Sequence, residues 1–200
     1  MPTRERIVEA AVRLIGERGY GETTVGDIEE AAGLTRRAGA FYRHFPSKEA
    51  VLVEALDRLS ADFIGSLALK DVISLKSIRA ELLVLARAFI RHAEVYRPIR
   101  VLIQREGHKL PALRKAARRA NAKLAAADVV PWIESALTRS GRRKADAPAI
   151  GLMIFGPVLV YFIAQDRGDN AFGIETADRF LPQWADHWAQ WFARGARDPS

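Results

Sequence analysis

Apolar residues recur every three to four positions along almost the whole chain. Ile7, Ala10, Ala11, Leu14 and Ile15 share one face of a helix. Gly19 ends it, because glycine tolerates the left-handed backbone in which helices stop. Thr24 is placed to cap a second helix, with Asp27 three residues on completing the capping pattern. Val25, Ile28 and Ala31 then face inward, and Gly33 breaks this helix after about two turns. Thr35 is placed to cap a third helix, running from Arg36 to His44. On it Phe41 and Phe45 would pack on the first two helices, while Arg37, Ala40 and His44 share another face. Pro46 ends that helix, and Ser47 caps a fourth with Glu49 in its first turn.

Two short helices joined by a glycine-containing turn and packed on a longer one make a helix-turn-helix. Ala38, Gly39 and Ala40 keep the third helix slim. Gly39 would cost ~1 kcal/mol against alanine in a helix interior, which suits a helix that enters a groove better than one meant only to be stable. The fourth helix continues from Val51 to Leu69. Later helices are expected at Glu81 to Ala93, from Pro98 to near Gly107, and from Pro111 to about Leu137 with an interruption at Pro131. Asp146, followed by Pro148, caps the next, and Thr176 the last. The fold class is all-α, with about nine helices: a helix-turn-helix domain at 1–47 and a larger helical domain at 48–200.

Charge sharpens this picture through its location. The net charge is +7, yet residues 1–60 hold nine Lys/Arg against ten Asp/Glu. Within them, Gly33 to Lys48 carries Arg36, Arg37, Arg43 and Lys48 with no acid. A second basic stretch, Arg97 to Lys123, has nine Lys/Arg against Glu106 alone. Basic stripes are the electrostatic footprint of phosphate binding. The second stretch reads more plainly as a solvated helix face, whereas the first sits in a motif.

Other chemistries find little support. There are no cysteines, so disulfides, thiolate metal sites and cysteine nucleophiles are excluded. His44, His92, His108 and His187 show no metal-ligand spacing, and no nucleophile or acid/base pair points to an enzyme. No cofactor is implied. Met1 to Glu9 is charged, unlike a secretory leader, and the apolar run Ile150 to Ala164 is shorter than the ~20 residues of a membrane span. A cytoplasmic protein with no membrane partner is the expectation.

The run TTVGDIEEAAGLT…AFYRHFPSKEAVL, from Thr23 to Leu52, resembles the signature of the TetR family of bacterial transcriptional regulators. Its most specific part is Tyr-x-His-Phe-x-x-Lys-Glu at Tyr42 to Glu49. The resemblance covers about a quarter of the chain. It implies a homodimeric, ligand-responsive repressor that binds a pseudo-palindromic double-stranded DNA operator. Thr24, Tyr42, His44 and Lys48 would hold phosphates. Thr35, Arg36, Arg37 and Ala40 would line the recognition helix, where arginine can read guanine bidentately. Here the segment between the Ala-Gly turn and the Tyr-x-His-Phe string is about two residues longer than the family's usual pattern. Counting from the turn gives Arg36 the leading base-reading position; counting back from Tyr42 gives it to Ala38.

The resemblance also implies that the last two long helices form the dimer interface. That accounts for an Ile150 to Ala164 helix apolar almost all round, and for the Trp184, Trp188, Trp191 and Phe192 stripe. Pro157 should kink the former helix and open space. A small-molecule effector pocket is therefore placed near Phe63, Phe89, Trp132, Phe155 and Phe162, each of which reads equally well as core. The alternative function is a helical small-molecule-binding or adaptor protein whose helix-turn-helix is only structural.

Overall fold

Every regular element among the described residues of the computed structural model is helical. Those residues are 1–36, 38–66, 72, 75–168, 173–174 and 176–195. The helices are α1 (Thr3–Arg18), α2 (Val25–Ala31), α3 (Lys48–Ser66), α4 (Ile78–Glu106), α5 (Pro111–Leu124), α6 (Val130–Arg139), α7 (Ala147–Arg167) and α8 (Leu181–Gly195). Contacts gather them into two compact units, residues 1–63 with 95–122 and residues 64–94 with 123–200.

The first unit is built on the apolar faces anticipated above. Ile7, Ala11 and Leu14 of α1, Ile28 of α2 and Leu52 and Leu56 of α3 close on Phe41 and Phe45. Ile99, Leu102, Leu110 and Leu113 complete this core. The local stops hold as read. Gly19 ends α1 at positive φ. Gly33 ends α2 with φ 68°, and the Leu34 amide donates back to the Glu29 carbonyl at 2.8 Å.

Two breaks expected at prolines do not occur. The helix expected to stop at Ala93 and restart at Pro98 is one 29-residue helix, α4, with Pro98 inside it. An interior proline removes one hydrogen bond and costs ~3 kcal/mol. Here Leu82, Leu85, Ala86 and Ala93 before the proline are buried in the core of the second unit, and Ile99 and Leu102 after it in the core of the first; that burial outweighs the loss. The stretch after Pro111 also runs on, to Arg139. It passes Pro131 by widening into a π-helical turn at Ala125–Val129. A wider turn accommodates the carbonyl that Pro131 cannot satisfy.

In the second unit Trp132 is fully buried against Phe155 and Phe192, at ring centroid distances of 6.3 Å in each case. The Trp184 indole donates to the Ile154 carbonyl at 2.8 Å. Trp184, Trp188 and Phe192 are core, and Trp191 is partly buried beneath Arg142. Asp146 caps α7 through the Ala149 amide, as its sequence announces. The helix continues unbroken through Pro157 to Gly168, whose φ of 67° ends it. At 21 residues α7 is longer than its apolar run, and by length and composition alone it could cross a membrane. Its inner side, Gly151, Ile154, Val158 and Phe162, is buried in the aromatic core. Thr176 does not cap α8. It makes no capping bond and precedes a single 3-10 turn, Ala177–Arg179.

The π-helical turn buries Asp128, whose Oδ2 has no hydrogen-bond partner. Burial disfavours the carboxylate and raises its pKa above the ordinary Asp value. The folded state therefore binds the proton more tightly than the unfolded chain. Asp128's contribution to stability is fully present below the ordinary Asp range and is lost as pH rises through the raised value. Asp128→Asn should flatten that slope in urea titrations across this range, and stabilise the protein at neutral pH by about 1 kcal/mol, the scale of an unpaired buried acceptor.

Candidate nucleic-acid interface

The site begins at the cap of α2. The Asp27 amide donates to the Thr24 hydroxyl at 3.1 Å, and the Thr24 amide donates to Asp27 Oδ2 at 3.0 Å. Thr24's hydroxyl and amide hold the Asp27 carboxyl below the ordinary Asp range, and Arg36 adds to this. Thr24 itself is exposed at the helix entrance.

The third helix of the sequence reading does not form. Thr35 and Arg36 lie in a turn, Gly39 adopts the left-handed conformation at φ 70°, and only Phe41–Arg43 make a single 3-10 turn. Gly39 is therefore present for its backbone, since a Cβ there would meet nothing within 4 Å. A left-handed residue interrupts an α-helix. The added length before Tyr42 goes into this turn rather than into a longer helix. Ala40 and His44 consequently do not lie on one continuous α-helix, and Arg37 lies outside the described residues.

Arg36 folds back over α2. Its guanidinium donates to Asp27 Oδ1 at 2.8 Å and to Glu30 Oε2 at 3.3 Å. Gly26 makes this possible: a Cβ there would stand 3.0 Å from Arg36 Nε.

What fixes the segment is a pair of anchors that the sequence reading missed. Glu29, almost wholly buried, accepts the Phe41 amide on Oε1 at 3.0 Å. Arg4 of α1 donates to the His44 carbonyl at 2.7 Å, pairs with Glu54 of α3, and lies 4.2 Å over the Phe45 ring. Glu29 had one legible signal: it shares the inward face of α2 with Val25 and Ala32, where an acid is out of place.

The remaining predicted residues divide by exposure. Tyr42 is 62% exposed, its ring edge-on to buried Phe41. Thr35 is exposed, while Ala40 and His44 are half-buried. Lys48 is inward-directed: Nζ donates to the carbonyls of Tyr20 and Thr23, both at 2.6 Å, and sits 4.3 Å over the Tyr20 ring. Desolvation lowers its pKa. It thus fastens the start of α3 to the loop that presents Thr24.

Four of the five proposed pocket aromatics, Phe89, Trp132, Phe155 and Phe162, lie in the other unit. Phe89, Trp132 and Phe155 pack on one another with centroids 6.3–6.4 Å apart, as core residues do. Phe162, which is buried, lines a cleft of about 430 Å³ with Ile90, Tyr161 and Leu181. Arg87 and Arg91 also line that cleft. The Phe63 side chain lies outside the described part of the structure.

Residues 7–55 match the family model of bacterial regulatory proteins, tetR family. The HTH-type transcriptional regulator TtgR of Pseudomonas putida is 47% identical over 57 residues, 28% of this chain and 26% of TtgR. Such matches span only 17–30% of the curated relatives' lengths. Across the whole chain the likeness is one of fold. A TetR-family regulator from Mesorhizobium loti superposes with a TM-score of 0.71 at 20% identity, covering 96% of this chain and 95% of its own. Bacillus subtilis FadR, solved with stearoyl-CoA, gives 0.67 at 18% identity, covering 96% and 98%. Residues 7–55 are thus similar to the tetR family of bacterial regulatory proteins, and the chain as a whole has the fold of these solved structures.

Proposed function

We propose that this protein is a cytoplasmic, ligand-responsive transcriptional regulator, a homodimeric repressor rather than an enzyme. The observation that carries this is the capped α2 followed by the exposed Tyr42 string, in the segment matched to the family. Thr24, Tyr42 and His44 position the DNA backbone. Thr35, Arg36, Arg37 and Ala40 form the base-reading segment, and Lys48 serves by holding Thr24's loop in place. Two such segments would enter successive major grooves of a pseudo-palindromic operator, about 34–36 Å apart.

A second copy accounts for the outer side of α7. Leu152, Met153, Leu159 and Val160 are 45–73% exposed along one stripe, and such a patch on a soluble protein marks an interface. The effector is a small molecule with an apolar body, taken up in the second unit. The Phe162 cleft has a volume suited to one, and a structural neighbour, FadR, was solved with stearoyl-CoA. Effector binding would lower DNA affinity by favouring a conformer with different half-site spacing.

One observation favours the alternative of a small-molecule-binding protein with a purely structural helix-turn-helix. Arg36 is paired with Asp27 and Glu30 rather than free. Selection from a random duplex pool decides between them. The wild type should enrich an inverted repeat, and Arg36→Ala combined with Arg37→Ala should abolish that preference. Enrichment of the same repeat with native affinity by the double variant would refute the assignment, and no enrichment by the wild type would favour the alternative.

A further inference from the structure

The second basic stretch of the sequence becomes a defined surface in the structure. In α5, Leu113 and Ala116 are fully buried and Ala117 and Ala120 are half-buried. Arg114, Lys115, Arg118 and Arg119 occupy the opposite face, all exposed. No acid occurs anywhere from Pro111 to Leu124. Cations at i and i+4, as in Arg114/Arg118 and Lys115/Arg119, repel by about 0.2–0.5 kcal/mol per pair. A face that needed only hydration would intersperse both signs. A stripe of one sign, three-quarters arginine, fits a surface that meets regularly spaced phosphates.

Its location points the same way. The first turn of α5 is docked on the first turn of α3, where the Leu113 amide donates to Glu49 Oε1 at 3.0 Å. Glu49 immediately follows Lys48, at the exit of the DNA-reading segment. The stripe therefore lies in the same compact unit as the helix-turn-helix. Gly107 orients its first member. The Arg114 stem packs over the buried glycine, 3.2 Å from where a Cβ would stand, beside the exposed His108 and Lys109.

We propose that Arg114, Lys115, Arg118 and Arg119 form a second DNA contact that grips the phosphate backbone flanking the bases read by the helix-turn-helix, without sequence preference. The inference rests on the DNA-binding assignment above. Its occupant is duplex DNA, because a polyanion of one charge per ~1.7 Å matches a uniform cationic stripe. It adds affinity and salt dependence without altering which bases are read.

The test uses the full-length protein and the duplex it selects, in two forms. One is trimmed to the protected bases, and the other is extended by about ten base pairs, one helical turn, on each side. Replacing all four residues by glutamine should leave affinity for the trimmed duplex and base ranking unchanged. On the extended duplex the variant should lose at least about tenfold, with the salt slope reduced by up to ~0.9 per lost contact. Arg118→Gln with Arg119→Gln alone should lose about half of that slope, which guards against a folding artefact in the fourfold variant. Equal affinity and slope for wild type and variant on the extended duplex would overturn the proposal. So would stripe-dependent binding to phosphatidylserine vesicles without any flank effect. A wild type that binds no duplex at low salt would instead fail the DNA-binding assignment itself, a separate result.

Discussion

Alanine at Glu81 should lower the unfolding free energy by about 3 kcal/mol, the lower end of the range for breaking a buried ion pair. Glu81 is fully buried and accepts both guanidinium nitrogens of Arg139 at 2.6 Å, as well as the Trp132 indole N–H at 2.9 Å. Removing the carboxylate leaves the indole N–H unpaired in the centre of the aromatic core. Arg139 keeps about a third of its side chain exposed, so water recovers part of its charge, and the lower end applies. For a chain of this size the melting temperature should fall by roughly 6–12 °C. A variant carrying Glu81→Ala and Arg139→Met together should recover part of the loss, because the uncompensated guanidinium is gone. Thermal unfolding of the single and double variants measures both effects. A single variant as stable as wild type would show that the pair contributes nothing net.

Glu29→Ala should detach the base-reading segment. Its carboxylate holds the Phe41 amide inside the first unit, 12 residues along the chain. An unpaired buried amide costs about 1–3 kcal/mol, and the described residues of 35–40 form no helical hydrogen-bond ladder of their own to retain it. Affinity for the selected duplex should fall by roughly thirtyfold, equivalent to about 2 kcal/mol, and the Phe41 amide should lose protection from hydrogen exchange. Glu29→Gln keeps an acceptor at the same place and should restore most of both. Native DNA affinity in the alanine variant would show that the segment is held by something other than this bond.

These two carboxylates mark the boundary of what the chain discloses by inspection. The stops and starts at Gly19, Thr24, Gly33, Ser47 and Asp146 are legible because a cap involves a side chain and a backbone group only a few residues apart. The apolar faces of α1 to α3 are legible for a similar reason, since helical periodicity is a local property. The Tyr42 to Glu49 string carried the resemblance to the tetR family, whose model matches residues 7–55.

The tertiary structure decided the rest, wherever the relevant partner is distant in sequence. Pro98 reads as a start signal, yet α4 passes through it because residues on both sides of it are buried, each set in its own core. Gly39 reads as a slim helix position, yet a left-handed turn forms, held between the Glu29 anchor and the Arg36 contacts on α2. Lys48 reads as a phosphate ligand by its motif, yet its ammonium reaches back 25 and 28 residues to two carbonyls. The hydrophobic pattern of this chain determined that it is helical and where most helices begin. Long-range hydrogen bonds and shared burial determined which proline breaks no helix, which arginine is held, and which acid holds the reading segment in place.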